Sequence, residues 1–126
     1  MKIKVAEATD SQLDWLVASI QGQIWTGDWY AVPHEFRFKT AKFPKGWSVC
    51  FLDGRSFNPS TDWSQGGPII EREGLEIGPS EGTTWRAMTG GREGAIKFGP
   101  TPLIAAMRCF CASKLGDTVE IPKELT

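Results

Sequence analysis

Histidine is almost absent from this chain: His34 is the only one among 126 residues. Zinc sites and Ser-His triads both lean on imidazole, so neither has much to work with, and His34 reads as an ordinary structural or surface residue. Cysteine is scarce as well. Three cysteines make an odd count with no framework spacing, the usage of a reduced cytosolic protein. Cys109 and Cys111 would project about 200° apart on a helix and cannot share a metal. Neither sign of charge is in surplus: 14 Lys and Arg against 15 Asp and Glu leave a formal net charge of -1, which argues against a protein whose task is gripping nucleic-acid phosphates. No apolar run reaches the roughly 18 residues a membrane span needs. The opening Met1-Lys-Ile-Lys-Val5 alternates charge with apolar residues, as an edge strand does and a secretion signal does not. No matched carboxylate pair, nucleophile elbow or metal motif is present, so no catalytic residue, metal ligand or cofactor is assigned.

What the chain does have is tryptophan. Six Trp against one Tyr in a small protein imply a dense core, a binding surface, or both. The length, with 40% hydrophobic and 23% charged residues, suits one soluble domain over 1–126 with a real core. No internal repeat, linker or low-complexity segment divides it.

Residues 2–6 predict a short strand. A helix over 10–21 comes next: Thr9 and Gln12 make a capping box, Asp10 suits the helix dipole, and Leu13, Leu16, Val17 and Ile20 form one apolar stripe. Gly22 supplies its stop. Trp15 lies about 200° from Leu13, on the other side, either under a loop or at a partner contact. Residues 23–57, with Trp25 and Trp29, have no helical period and predict two or three antiparallel strands, one of them Trp47–Leu52, ending at an Asp53-Gly54 turn. Their long loop from Pro33 to Pro44 carries Lys39 and Lys42, with Arg37 and Lys45 nearby; it is a solvated loop or an attractor for anions. Strands at 75–78, 83–88 and 95–98 come next, the last two joined by the glycine loop 90–94. No helix opens directly behind that loop, so it is not a phosphate cradle. Thr101 as N-cap, Pro102 at the first helical position and Gly116 as stop mark a helix over 102–115, with Ile104, Met107, Cys111 and Leu115 as its buried stripe, broadened by Leu103 and Phe110. Arg108 is the lone charge in its middle and predicts a partner, Asp62 or Glu71. Val119–Ile121 gives a last short strand. The fold class is α+β: an antiparallel sheet packed with about three helical segments, sandwich-like.

The stretch from Asn58 to Gly74 is the hardest to place. A helix start is marked by Ser60, Thr61 and Asp62, yet Gly66-Gly67-Pro68 interrupts the helix it opens. Proline lacks an N–H, clashes with the carbonyl four back and disfavours helix for Gly67, so the helix over 61–73 is expected to break near Pro68. Such a break would leave amides free near Gly66 and Gly67, beside Trp63 and Gln65, suited to a small polar or anionic ligand. The competing reading is that Asp62 caps, Trp63 fills core and the glycines merely permit close packing.

Two segments carry a family likeness. Asn58-Pro-Ser-Thr-Asp-Trp-Ser-Gln-Gly-Gly-Pro-Ile-Ile-Glu-Arg-Glu-Gly74 and Gly99-Pro-Thr-Pro-Leu-Ile-Ala-Ala-Met-Arg108 resemble the signatures of the NinX-like family of bacteriophage proteins. Met1-Lys-Ile-Lys-Val-Ala-Glu7, Leu13-Asp-Trp15 and Ala112-Ser-Lys-Leu-Gly-Asp117 are similar to it too. The Ser-Thr-Asp start and the later Ala-x-x-Arg helix more distantly resemble the phage α-β-α sandwich domain. The resemblance covers about half the chain, leaves 23–57 unmatched, and implies a phage- or prophage-encoded accessory protein in the bacterial cytoplasm; it brings no catalytic residues with it.

Three functions stand as expectations. The first is a non-enzymatic binding protein that sequesters a small nucleotide-like ligand or blocks a host defence protein, its ligand held by Asp62, Trp63, Gln65, Gly66, Gly67 and Arg108. The second is a homodimeric interaction module using Trp15, Trp25 or Trp29. The third is a hydrolase using Asp62, Glu71 or Glu73 as acid or base.

Overall fold

The computed structural model describes residues 1–24, 29–33, 47–51, 56–90 and 94–121, and in 22–24, 29–33 and 47–51 it describes the backbone alone. The expectations for Trp25, His34, the basic loop with Arg37, Lys39, Lys42 and Lys45, and the Asp53-Gly54 turn lie outside those residues, as does the side chain of Trp29.

The class is α+β. In order come β1 (Lys2–Lys4), a 3-10 turn (Val5–Glu7), α1 (Asp10–Ile24), β2 (Trp29–Pro33), β3 (Trp47–Phe51), α2 (Trp63–Glu73), β4 (Glu76–Pro79), β5 (Trp85–Met88), β6 (Ile96–Gly99), α3 (Pro102–Leu115) and β7 (Thr118–Glu120). The strands are antiparallel as expected, but they sort into three small sheets: β1 with β7, β2 with β3, and β4-β5-β6. Helix α3 lies on the three-stranded sheet, and α1 and α2 pack against α3, which gives the sandwich-like layering.

The helix signals locate the helices well and their ends less well. The Thr9 amide donates to Gln12 Oε1 at 2.9 Å, one half of the capping box. Leu13, Leu16, Val17 and Ile20 are buried together. Gly22, however, does not stop α1, which runs on to Ile24; a glycine inside a helix costs about 1 kcal/mol but ends it only where the backbone turns left-handed. Gly74 does turn left-handed, at φ 65°. Its amide reaches Glu71 O and the Leu75 amide reaches Ile70 O, the paired bonds of a Schellman stop. In α3, Thr101 Oγ1 accepts from the Ile104 amide at 3.1 Å, and Leu103, Met107, Phe110 and Cys111 are buried. Leu115 departs from the expected stripe: it is 38% exposed, one turn past the last buried residues.

The expected break near Pro68 is absent. Helix α2 runs from Trp63 through Pro68 to Glu73, with Asp62 as its cap. The proline forfeits the bond to the Ser64 carbonyl four residues back, but Pro68 and Ser64 are both exposed, so water can satisfy that carbonyl. The group released by a proline is a carbonyl, an acceptor; no amide is freed at Gly66 or Gly67. The Gly66 amide itself donates to Asp62 O at 2.8 Å.

Candidate functional site

The Asn58–Gly74 stretch begins as a tight turn. The amides of Thr61 and Asp62 both donate to Asn58 O, and the buried Ser60 anchors the turn to α1. The Ser60 amide donates to Asp14 Oδ1 at 3.0 Å, and its hydroxyl donates to Asp10 O at 3.1 Å. The turn delivers Asp62 to the start of α2, where its carboxylate accepts from the amide and the hydroxyl of Ser64. Gln65 points back along the chain, accepting from the Asn58 amide at 2.6 Å and donating to Ser56 O at 2.9 Å. Gly66 is buried against Pro59 and Leu103: a Cβ there would overlap the Pro59 carbonyl and stand 2.6 Å from Leu103 Cδ2. Gly67 faces open space. Trp63 is 55% exposed and flanks a cavity of about 210 Å³ with Ser60, Thr61, Thr101, Pro102, Leu103 and Ile104. The expected ligand residues therefore split. Trp63 borders this small cavity, Asp62 and Gln65 hold the loop, and Gly66 is a packing contact.

Arg108 belongs elsewhere. It does not pair with Asp62 or Glu71; the guanidinium donates to Ala8 O from Nε at 3.1 Å and Nη2 at 2.9 Å, and to Phe98 O from Nη1 at 2.8 Å. Backbone carbonyls satisfy it because α3 lies against the sheet and the loop before α1. Among the described residues no carboxylate lies within 4.0 Å of it. Burial lowers its pKa from the usual arginine value, and the charge of Glu7 partly opposes that; the side chain remains a cation at any physiological pH. Three of its five N–H groups are thus fixed by main chain, and the guanidinium lines a groove of about 610 Å³ with Thr83, Thr84, Lys97, Phe98 and Pro100. Lys97 Nζ is held by Asp117 Oδ1 at 3.0 Å. The groove therefore offers one cation with no carboxylate within 4.0 Å among the described residues, a second already paired, two hydroxyls and an aromatic ring.

Of the other expected residues, Trp15 is half-buried and packs on the core. Glu71 is exposed on α2. Cys109 and Cys111 are buried free thiols, and burial pushes both pKa values up, which leaves them inert as nucleophiles. Among the described residues no three His, Cys, Asp or Glu side chains gather as a metal site would require, and no helix is long and apolar enough to cross a membrane. The groove beside Arg108 escapes a reading of the sequence because its walls come from the 3-10 turn, β6 and α3, and no single motif joins them.

The family model for bacteriophage P22 NinX matches residues 4–114, and the chain belongs to that family. No curated protein matches it.

Proposed function

We propose that this phage-encoded accessory protein is a non-enzymatic binding protein of the infected cell's cytoplasm, and that it holds a small anionic ligand in the Arg108 groove and so withholds it from the host. The observation that carries the reading is Arg108 itself. A guanidinium fixed by Ala8 O and Phe98 O, with N–H groups to spare and no carboxylate within 4.0 Å among the described residues, is a preorganised anion donor. A phosphate entering the groove would find it oriented in advance. Glu7 is the acid whose charge opposes an anion there. The ring of Phe98 and the hydroxyls of Thr83 and Thr84 give a ligand apolar and polar contacts around the charge.

The test is calorimetry at low salt with inorganic pyrophosphate and nucleoside triphosphates. Saturable binding is expected, weakened about 10- to 100-fold in Arg108→Gln, the range for losing a charge-assisted hydrogen bond. Because Arg108 also braces the fold, Lys97→Gln is the companion variant; it leaves the three bonds from Arg108 to the Ala8 and Phe98 carbonyls in place and should weaken binding several-fold with little change in melting temperature. No heat with any anion would overturn the reading. Turnover of a ligand that disappears in Asp62→Ala or Glu71→Ala would replace it with an enzymatic one.

A further inference from the structure

We infer that the ligand is of the mononucleotide class, with its base stacked on Phe98 and a second anionic group met by Arg86 on the open face of the three-stranded sheet. This rests on the anionic-ligand reading of the Arg108 groove and extends that site over the edge of β6.

The inference starts from an inverted strand. In a sheet covered by a helix on one side, alternating strands place apolar residues inward and polar ones outward. Strand β6 does the reverse. Ile96 and Phe98 are 50% and 47% exposed, while Lys97 turns in with its side chain 17% exposed, sharing its row with the fully buried Ala87. An apolar surface kept on the solvent side is what a binding face requires and a structural strand avoids.

The register says what else that face carries. Phe98 stands opposite Arg86, which stands opposite Gly78, so all three share one row. Gly78 leaves room for the guanidinium of Arg86, whose Nη2 lies 3.7 Å from where a glycine Cβ would be. Phe98 therefore sits between two arginines: Arg86 across the sheet, and Arg108, which is bonded to the carbonyl of Phe98 itself. Met88 and Ile96 widen the apolar floor in the adjacent row. Glu76 closes the far corner of that row, which directs an anion toward Arg86.

Size selects the occupant. Three strands about 4.8 Å apart and four residues long at about 3.3 Å each present roughly 200 Å² in projection. A stable protein partner buries about 800 Å² per side, several times more. One nucleobase with its phosphates fits, stacked on the aromatic ring as bases stack on protein aromatics generally. The net charge of -1 supplies no basic track for a long strand.

The test compares ATP, ribose 5-phosphate, inorganic tripolyphosphate and a 20-nucleotide single strand by calorimetry on the full chain. ATP is expected to bind best. Phe98→Ala should weaken ATP roughly tenfold or more, down to the level of tripolyphosphate, while Phe98→Tyr retains it; Arg86→Gln should weaken ATP but not ribose 5-phosphate. Phe98 is exposed, and the tyrosine variant guards against misfolding as the cause. Tripolyphosphate binding as tightly as ATP, or ATP indifferent to Phe98→Ala, would overturn this inference and leave the anionic-ligand reading standing. Preference for the long strand would overturn the mononucleotide class, and no binding by any of them would overturn both.

Discussion

The Asp14→Asn protein is expected to match its parent in stability near pH 4 and to exceed it by a margin that grows through neutrality. Asp14 is 8% exposed, and burial, helped by the charge of Asp10, pushes its pKa from 3.8 to about 7, although hydrogen bonds from Ser60 pull the other way. Cys111, the other titratable group facing it, stays a neutral thiol because burial and Asp14 both raise its pKa. The native pKa lies above the unfolded one. Below about pH 4 the carboxyl is protonated in both states and its contribution is fully present. From there to about pH 7 only the unfolded chain releases the proton, so stability falls as pH rises; above that both states are ionised and the loss is complete. At 1.36 kcal/mol per pKa unit the span is on the order of 4 kcal/mol. Asparagine carries no charge and its Oδ1 can still accept from the Ser60 amide. Urea denaturation of parent and variant from pH 4 to pH 8 checks this: a difference that does not change with pH would show that Asp14 does not titrate in that window.

Substituting the adjacent glycines of α2 by alanine should have very unequal effects on stability. At Gly66 a methyl group would enter the space of the Pro59 carbonyl and of Leu103 Cδ2. Carbonyl and loop cannot easily retreat, because the next residue, Ser60, is bonded to Asp14 and Asp10. Overpacking of this kind costs about 1–3 kcal/mol, and a backbone obstacle places Gly66→Ala at the upper end. At Gly67 an added Cβ meets nothing within 4 Å. Pro68 is the neighbour that matters: its ring crowds the Cβ of a helical residue before it, which offsets the gain of about 1 kcal/mol from helix propensity and a less flexible unfolded chain, so Gly67→Ala should stay within about 1 kcal/mol of the parent. The two denaturation midpoints, measured against the parent, give the size of each; a tolerated Gly66→Ala would refute the close approach of α2 to the Pro59 turn and α3.

The sequence reveals α1 through its capping residues and apolar stripe, and α3 through its capping threonine, the proline at its first position and the glycine that follows it, because these are local chemistry written in adjacent residues. It reveals the strands as strands, but not their pairing, since nothing in Lys2–Lys4 names Thr118–Glu120 as its partner. Pro68 misleads because its cost depends on which way the orphaned carbonyl faces, and here that side is exposed. Arg108 misleads for a related reason. A search for carboxylate partners overlooks main-chain carbonyls, which every residue has and no composition distinguishes. The family likeness at residues 58–74 and 99–108 is sound, while the residues expected around a break at Pro68 are divided between a small cavity beside Trp63 and a groove at Arg108. Alternation alone makes Phe98 no more than part of a strand; only the register, which sets it outward beside Arg86, gives it a role.

The pairing of β1 with β7 has a kinetic consequence. The amino group of Met1 reaches Ile121 O across 120 positions of chain, and Val5 reaches Asp117 O nearby. Closing a loop of that length is entropically costly until the chain between is already ordered. The β5–β6 hairpin, by contrast, joins near neighbours in sequence. Refolding should therefore protect the amides of β5 and β6 early and those of β1 and β7 last, and pulsed hydrogen exchange would resolve the order. The small terminal ladder would then act as the latch of the fold, the first part to loosen under stress and the last to re-form.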